Sequence, residues 1–298
     1  MKHKIAVVEH RRKMPAARRR ELRAALAEHG LQPTSWIKVP KARKAKAAVA
    51  TAVKDGAGTV LVCGGDGTVR AAAEALIDTG VALAVLPTGT ANLFASGLEL
   101  ATEPAAVIEA IVGGHLLHLD TGRCNDLTFT VMAGAGLDAA MIDEADSADG
   151  IWGKKRLGVL AYFRAGLIHA RTYQPFGVEL VVDGAPFFDG LATCVLVGNL
   201  GTLGRGLQAF PDASPVDGLL DVGVATAEGL QQWASLMVST ARGRHEDSPY
   251  VRLTQGKAID VRLDGEHRFE LDGGTKGIAN RLQFLVLPRS LMVCAPQK

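Results

Sequence analysis

The residues of this sequence best suited to chemistry are glycines grouped around a single aspartate. Residues 62–69 read VCGGDGTV and follow directly on an apolar run. Glycine lets backbone N–H groups approach a phosphate closely, and a helix that begins at such a loop adds the positive end of its dipole. A phosphate would be repelled by Asp66, so this carboxylate is expected to hold Mg²⁺ or to orient an attacking group. The stretch therefore predicts a phosphate-binding loop.

A second glycine-bearing loop follows the next apolar run. Residues 86–95 read LPTGTANLFA, in which Gly89 permits close backbone approach and Thr90 and Asn92 offer side-chain hydrogen bonds. If the two preceding strands are parallel, both loops emerge at the same carboxyl edge of the sheet. Neither the GxxxxGK[ST] pattern of a P-loop nor a Rossmann GxGxxG is present. The two loops together predict a nucleotide-binding site of another kind.

The elements that must position these loops alternate between strand and helix. Continuous apolar runs are typical of parallel strands that are buried on both faces. Such strands are predicted at 4–9, 58–63 and 81–87, with helices at 15–30, at 45–54 and from a Thr68 cap to about 78. This alternation predicts a doubly wound parallel α/β nucleotide-binding domain over residues 1–120.

Beyond residue 120 the pattern changes to short strands separated by Asp-Gly and glycine-rich turns. It predicts a mainly antiparallel β-sandwich domain over residues 121–281, with one helical insert near 153–170. Asp264-Gly265-Glu266 is interpreted as a hairpin turn, with a catalytic carboxylate as the alternative. The segment RLQFLVLPRSLMVCA (281–295) is predicted to form two short strands joined at Pro288-Arg289, and residues 282–298 are predicted to be a separate C-terminal tail.

Composition limits the class of protein. Of 298 residues, 48% are hydrophobic and 21% are charged, which is typical of a globular chain with a sizeable core. No apolar run approaches the length of about 18 residues that spans a bilayer, and the N-terminal residues lack the apolar region of a secretory signal. The four cysteines lie far apart, as expected of reduced thiols. These features predict a cytoplasmic protein.

Positive charge is concentrated at one end of the chain. Residues 1–54 hold 15 Lys and Arg against 3 Asp and Glu, whereas the whole chain has a net charge of +2. This asymmetry indicates an anionic partner, either a nucleotide or an acidic membrane surface, with solvated helix faces as the alternative reading. The basic helix has no interleaved aromatic residues and no recognised nucleic-acid motif, so no nucleic-acid partner is predicted.

The order of motifs resembles the diacylglycerol kinase catalytic-domain family, which includes sphingosine kinases and bacterial lipid kinases. GGDGT followed by LPxGTxN carries the first part of the likeness, although GGDGT alone is shared with NAD kinases and phosphofructokinases. Further motifs that resemble the family's are GAGLDA (134–139), KKRLGVLAY (154–162), GNLGTLGRGLQAFPDASPVDGLLDV (198–222), and ELDGG followed by LPRSLMV (287–293). The resemblance covers nearly the whole chain.

This resemblance implies an enzyme that transfers the γ-phosphoryl group of ATP to the hydroxyl of a diacylglycerol-like lipid and requires Mg²⁺. The final strands would return to the first domain. The implied ATP-binding residues are Gly64, Gly65, Asp66, Gly67, Thr68, Val69 and Arg70 in the first loop, with Gly89, Thr90 and Asn92 in the second. Asp217 would bind a structural Mg²⁺ together with backbone oxygens of Ser214 and Leu219. The basic segment would hold the protein peripherally to anionic membranes. Assembly into a homodimer is compatible with the resemblance.

The chain departs from the family at three places. The first strand ends in Val8-Glu9-His10 where the family has Asn-Pro, and Lys38 and Val39 fall about where a threonine is usual. The family's last motif, Asp-Gly-Glu, falls on Asp272-Gly273-Gly274, so that glycine occupies the position of the general base.

Two carboxylates, Asp66 and Asp272, are therefore the candidate catalytic residues. Loss of a general base lowers the reaction rate by a factor of about 10²–10⁴, so one hypothesis is a kinase of low activity. A catalytically impaired nucleotide- or lipid-binding member of the same fold is a second reading. An NAD kinase is a third and less favoured one.

Overall fold

A computed structural model describes residues 4–136, 174–202, 208–244 and 248–297. The chain divides into two compact units, one of Met1–Thr121 with Pro288–Lys298 and the other of Gly122–Leu287. The predicted insert at 153–170, the KKRLGVLAY segment and the end of GAGLDA lie outside the described residues.

The first unit is built on a parallel sheet. Its strands are β1 (Ile5–His10), β2 (Ser35–Val39), β3 (Thr59–Gly64) and β4 (Ala82–Pro87), in the order β2-β1-β3-β4. Strands β1 and β4 are buried along their whole length, as the continuous apolar runs predicted. The end of the last strand, β14 (Gly274–Cys294), pairs in parallel with β4 through Val293 and Leu83. The predicted parallel α/β domain is confirmed.

Helices cover both faces of this sheet. They are α1 (Ala16–Glu28), α2 (Ala45–Lys54), α3 (Asp66–Leu76), α4 (Leu93–Gly97) and α5 (Pro104–Gly113), with a 3-10 turn at Ala42–Lys44. Helix α1 packs against α5, and α2 packs against α3. Buried apolar side chains of β1, β3, β4, α1 and α5 form one core cluster. Loops lie at the carboxyl ends of the parallel strands.

The second unit is mainly antiparallel, as predicted. Its elements are β5 (Leu116–Cys124, which begins in the first unit), β6 (Leu127–Phe129), β7 (Met132–Gly136), β8 (Phe176–Val182), β9 (Ala185–Ala192), β10 (Cys194–Gly198), β11 (Leu220–Ala225), α6 (Gly229–Ala241), β12 (Val251–Gly256) and β13 (Ala258–Leu271). Strands β12-β11-β10-β7-β13 are neighbours in that order, and β13 also pairs with β8 and with β14. A separate apolar core lies within this unit.

The predicted turn at Asp264-Gly265-Glu266 is wrong. Strand β13 continues through it with a register shift between Arg262 and His267. The Asp264 carboxylate accepts a hydrogen bond from Gly177 N–H at 2.7 Å and lies 3.1 Å from His267 Nε2. These contacts hold the extra residues as a bulge within the strand.

The hairpin turn is instead formed by Asp272-Gly273. Both residues have positive φ, of 49° and 72°, which is typical of a two-residue turn between antiparallel strands. Leu271 pairs with Gly274 directly across it. Strands β13 and β14 therefore form one long hairpin.

The division of residues 281–295 into two strands is also wrong, because β14 runs without a break to Cys294. Arg289 has a φ of 51°, and its N–H donates to Asp120 Oδ1 at 2.6 Å. Ser290 Oγ lies 2.8 Å from Thr121 Oγ1 on the same neighbouring strand, β5. These contacts hold residues 289 and 290 against β5, so that β14 continues past the predicted break despite the left-handed backbone of Arg289.

Candidate functional site

Gly65 forms the transition from β3 into α3. Its backbone is extended, with φ −100° and ψ −178°, and it occupies the N-cap position. Its carbonyl accepts hydrogen bonds from the N–H groups of Thr68 at 2.8 Å and Val69 at 3.1 Å. Helix α3 consequently begins at Asp66, and the predicted cap at Thr68 is wrong. Thr68, Val69 and Arg70 lie inside the helix rather than in the loop.

The first and second glycine loops pack directly against each other. A Cβ atom on Gly65 would lie 2.9 Å from Gly89 Cα, and one on Gly64 would lie 2.6 Å from Thr68 Cβ. The N–H of Thr88 donates to the Gly64 carbonyl at 2.9 Å. Glycine is therefore required here by close packing, and the structure brings the two predicted loops together at the carboxyl edge of the sheet.

Asn92 shapes the second loop from within. It adopts a left-handed conformation, with φ 51°, at the N-cap of α4. Its Oδ1 accepts from Gly89 N–H at 2.9 Å, and its Nδ2 donates to the Gly89 carbonyl at 3.1 Å. Thr90 is exposed at the tip, and so is Gly67 at the first turn of α3. Asn92 thus holds the loop in shape, while Thr90 faces solvent.

Asp66 links the beginnings of two helices. Its Oδ1 accepts from Phe94 N–H at 3.3 Å, in the first turn of α4. Burial raises the pKa of this carboxyl above its ordinary value, and the nearby N–H groups of Phe94, Asn92 and Leu93 only partly offset that rise. The half-buried carboxylate stands at the junction of both glycine loops.

The glutamate at the end of β1 is engaged inside the first unit. Glu9 is 0% exposed, and its two carboxylate oxygens accept from Arg19 Nε at 3.1 and 2.9 Å. The indole Nε1 of Trp36 donates to Oε2 at 2.9 Å, and Lys38 Nζ lies 3.9 Å from Oε1. Burial raises the pKa of Glu9, but the hydrogen bonds from Arg19 and Trp36 and the two cations outweigh it and lower the pKa. Its negative charge is thus compensated locally.

Lys13 is a site residue that sequence reasoning missed. Its Nζ lies 3.2 Å from the position that a Cβ atom would take on Gly65. The sequence placed this lysine only within the general basic segment. Its position three residues after the end of β1 was the available signal, but which of several neighbouring cations turns toward the loop depends on the fold.

Several buried polar atoms near this edge have no hydrogen-bond partner within the described part of the chain. They are His10 Nδ1 at the end of β1, Thr68 Oγ1 in α3 and Thr88 Oγ1 after β4. Burial and the charge of Lys13 lower the pKa of His10, which favours its neutral ring. Buried polar atoms are normally paired, so this group indicates a place where water or a ligand completes the bonding.

In the second unit, the Asp272 carboxylate is enclosed by donors. It is 4% exposed and accepts from the N–H groups of Thr130, Val131 and Met132 and from Thr130 Oγ1 at 2.8–3.2 Å. Its own N–H donates to the Met132 carbonyl at 2.8 Å. This arrangement anchors the β13–β14 turn against the segment before β7.

Asp217 lies in an exposed turn before β11. Its Oδ1 accepts from Leu219 N–H at 2.9 Å, and Gly218 has a φ of 77°, as in an Asx turn. Ser214 is half-buried nearby in sequence. The pKa of Asp221 is raised to about 6, because burial and the charges of Asp217 and Asp212 outweigh the lowering by a hydrogen bond from Gln255. Across the described ranges, no group of three or more His, Cys, Asp or Glu residues could hold a metal ion.

Two family descriptions match consecutive parts of the chain. The diacylglycerol kinase catalytic domain matches residues 11–124, and the YegS C-terminal NAD kinase beta sandwich-like domain matches residues 131–295. The chain belongs to the diacylglycerol kinase catalytic-domain family. The resemblance inferred from the motifs is therefore confirmed.

Relatives of this diacylglycerol kinase family member include named kinases. A diacylglycerol kinase of Mycobacterium tuberculosis is 30% identical over 75% of this chain and 73% of its own length. A probable lipid kinase YegS-like of Pseudomonas putida is 31% identical over 83% of each chain. An uncharacterized protein of Synechocystis is 30% identical over 81% of this chain, which spans 56% of that protein's length. Family membership supports a lipid kinase.

Solved structures of two named kinases share this fold. A putative diacylglycerol kinase from Bacillus anthracis aligns with a TM-score of 0.82 at 21% identity, over 99% of this chain and 98% of its own. An NAD kinase from Archaeoglobus fulgidus in complex with ATP aligns with a TM-score of 0.57 at 12% identity, over 99% and 94%. These likenesses establish the kinase-type fold of the family member. None of the helices within its described residues is both long and apolar enough to cross a bilayer.

Proposed function

We propose that this protein is an ATP-dependent lipid kinase that transfers the γ-phosphoryl group to the hydroxyl of a diacylglycerol-like lipid. The observation that carries the proposal is the direct packing of Gly65 against Gly89 at the carboxyl edge of the parallel sheet. This packing joins the two loops into a single surface on which backbone groups can meet a chain of phosphates.

The proposed phosphate site combines three kinds of group. Gly67 exposes its backbone in the first turn of α3, where the helix dipole favours an anion. His10, Thr68 and Thr88 supply the buried polar atoms whose bonding is incomplete within the described residues. The Gly89 loop would contact the nucleotide from the other side. Two closely packed loops with buried polar atoms that lack hydrogen-bond partners within the described residues suit the binding of a polyphosphate.

For Mg²⁺, we propose Asp217 with backbone oxygens of Ser214 and Leu219. Mg²⁺ takes oxygen ligands, usually one or two carboxylates with waters, and the exposed Asp217 carboxylate suits that chemistry. Its Asx turn positions the carboxylate beside the backbone of Leu219. When bound there, Mg²⁺ would balance the negative charge of the Asp217 carboxylate.

Of the two proposed catalytic carboxylates, Asp66 is the better placed for proton transfer. It is half-buried at the loop junction and has a raised pKa, which suits a general base. Asp272 has hydrogen bonds from four donors, which favours an anchoring role. With glycine at position 274, slow turnover is expected.

We further propose peripheral binding to anionic membranes through a narrower basic surface than the sequence indicated. Several basic residues of the segment pair inside the first unit, Arg19 with Glu9 and Lys46 with Glu74 at 2.9 Å. Exposed Arg11, Arg12 and Lys41 remain, and together with Pro40 they line a cavity of about 430 Å³. Each basic residue near an anionic surface contributes about 1 kcal/mol.

A second candidate is a catalytically impaired binding protein of the same fold. Gly274 favours it, because this position has no carboxylate. The test is an assay of the purified protein with radiolabelled ATP, Mg²⁺ and diacylglycerol in mixed micelles, with Asp66→Asn as the inactive reference. Labelled phosphatidate from the wild type supports the kinase. No product, together with ATP-dependent thermal stabilisation, supports the impaired protein, and phosphorylation of NAD⁺ would identify an NAD kinase.

A further inference from the structure

We propose that Lys13 binds the terminal phosphates of the nucleotide, and that Glu9 and Arg19 position it for that task. The inference rests on the proposed function, because it requires ATP in the glycine loops. It assigns Lys13 a specific contact and gives a role to the residues that replace the family's Asn-Pro.

The position of the lysine amine is the first observation. Lys13 Nζ stands 3.2 Å from where a Cβ of Gly65 would be, and Gly89 Cα stands 2.9 Å from the same point. A single ammonium group therefore reaches the place where the two glycine loops touch. Lysine is a compact point charge with three donors, which suits a flexible triphosphate.

The lysine's charge is available for a ligand. Among the described residues, no carboxylate lies within ion-pair distance of Lys13, whereas Glu9 is compensated by Arg19 and Lys38. The dipole of α3 adds further positive potential at the same loop. A phosphate chain entering there would neutralise the lysine and the helix end together.

The segment that carries Lys13 is held at both ends. The N–H groups of Lys13 and Met14 donate to the His10 carbonyl at 3.0 and 3.1 Å. Arg19 connects the two sides of the segment, since its Nε donates to Glu9 at the end of β1 and its Nη2 donates to the Met14 carbonyl at 3.1 Å. The Glu9–Arg19 pair thus fixes the backbone on either side of the lysine.

This linkage makes Glu9 and Arg19 positioning residues. Neither side chain needs to touch the nucleotide, because the buried carboxylate on β1 orients Arg19 and Arg19 holds the carbonyl next to Lys13. If the pair is weakened, the lysine keeps its charge but loses its defined place.

The test compares the affinities of the full chain for ATP, ADP and AMP by isothermal titration calorimetry. Lys13→Gln is expected to weaken ATP binding roughly 10- to 100-fold, as for loss of a charge-assisted hydrogen bond, and AMP binding less than about 2-fold. Lys13→Arg should retain most of the affinity. Lys54→Gln is the matched control, because it removes the same charge at the end of α2, which leads into the opposite edge of the sheet.

The positioning role has its own readout. Glu9→Gln should lower the ratio of ATP to AMP affinity by roughly 3- to 10-fold, in the same direction as Lys13→Gln. A merely structural Glu9 would lower the melting temperature and leave that ratio unchanged.

The two levels of the proposal fail differently. If the wild type binds ATP and the Lys13→Gln and Lys54→Gln variants bind it with equal affinity, Lys13 does not bind the terminal phosphates. The proposed kinase function is not affected by that result. If the wild type binds neither ATP nor tripolyphosphate, the proposed function fails, and the role of Lys13 fails with it.

Discussion

Gly65 and Gly89 lie so close together that a Cβ atom on Gly89 would be 2.6 Å from Gly65 Cα. The two residues are far apart in sequence, yet this contact joins the loops that follow β3 and β4. A backbone-to-backbone approach of this kind leaves no room for a side chain on either partner, so any substitution must move one of the loops.

Replacing Gly89 with alanine is expected to separate the loops. The new methyl group would meet Gly65 Cα and Asn92 Oδ1, at 2.6 and 2.7 Å, and the strain should cost about 1–3 kcal/mol of stability. ATP affinity should fall at least about tenfold, because the surface is no longer continuous. Urea unfolding and calorimetry measure the two effects. Gly113→Ala is the control, since nothing lies within 4 Å of its Cβ position, and unchanged ATP binding in Gly89→Ala would contradict the joined site.

The buried Glu9 should make stability depend on pH. Its pKa is lowered in the folded protein, so the ionised form contributes stability that is present above the unfolded pKa of about 4.5 and is lost as pH falls through the folded value. Glu9→Gln should cost about 1–3 kcal/mol at pH 7, and progressively less as the pH falls below about 4.5. Urea denaturation across this range measures the difference. If the difference in the free energy of unfolding between wild type and Glu9→Gln grew as the pH fell, the pKa of Glu9 would not be lowered in the folded protein.

Asp272 can be tested as an anchor against its alternative role as a catalytic residue. Asp272→Asn replaces an acceptor-only carboxylate with an amide that cannot accept all of the bonds from Thr130, Val131 and Met132. We expect a loss of about 2–4 kcal/mol in the free energy of unfolding. Asp189→Asn, on the exposed face of β9, should change stability by less than about 0.5 kcal/mol. A fall in kcat with unchanged stability would instead assign Asp272 to catalysis.

Restoring a carboxylate at position 274 should raise turnover. In Gly274→Glu, the new Cβ would meet only the flexible end of Lys276, at 3.1 Å, and the Leu271 carbonyl, at 3.7 Å, so the backbone can accept the side chain. A gained general base is worth about 10²–10⁴ in rate, and an increase in kcat of at least about tenfold is expected. Gly274→Gln controls for size without a base. Equal rates in the two variants would show that position 274 does not limit turnover.

Local patterns in the sequence were sufficient for the class of fold and for the two loops. Most residues of strands β1, β3 and β4 are apolar because a parallel sheet that is covered on both faces excludes water from nearly every side chain. Gly65 and Gly89 follow two such strands, and parallel strands place their carboxyl ends on one edge. Periodicity and turn chemistry act over a few residues, so they are readable without the fold.

Contacts between distant residues decided what the sequence left open. Asp264 was interpreted as part of a turn, but Gly177 N–H holds it within β13, and Arg289 continues β14 because its N–H meets Asp120. Glu9 stood out in the sequence only as a departure from the family's Asn-Pro, whereas the fold places Arg19 and Trp36 against its carboxylate. The sequence does not distinguish Lys13 from the neighbouring basic residues, whereas the structure places its amine beside Gly65. The sequence by itself determined which residues are apolar, flexible or charged. Only the tertiary structure decided which charged groups meet. An ion pair or hydrogen bond depends on distances of a few ångströms between distant parts of the chain, and local sequence patterns do not specify those distances.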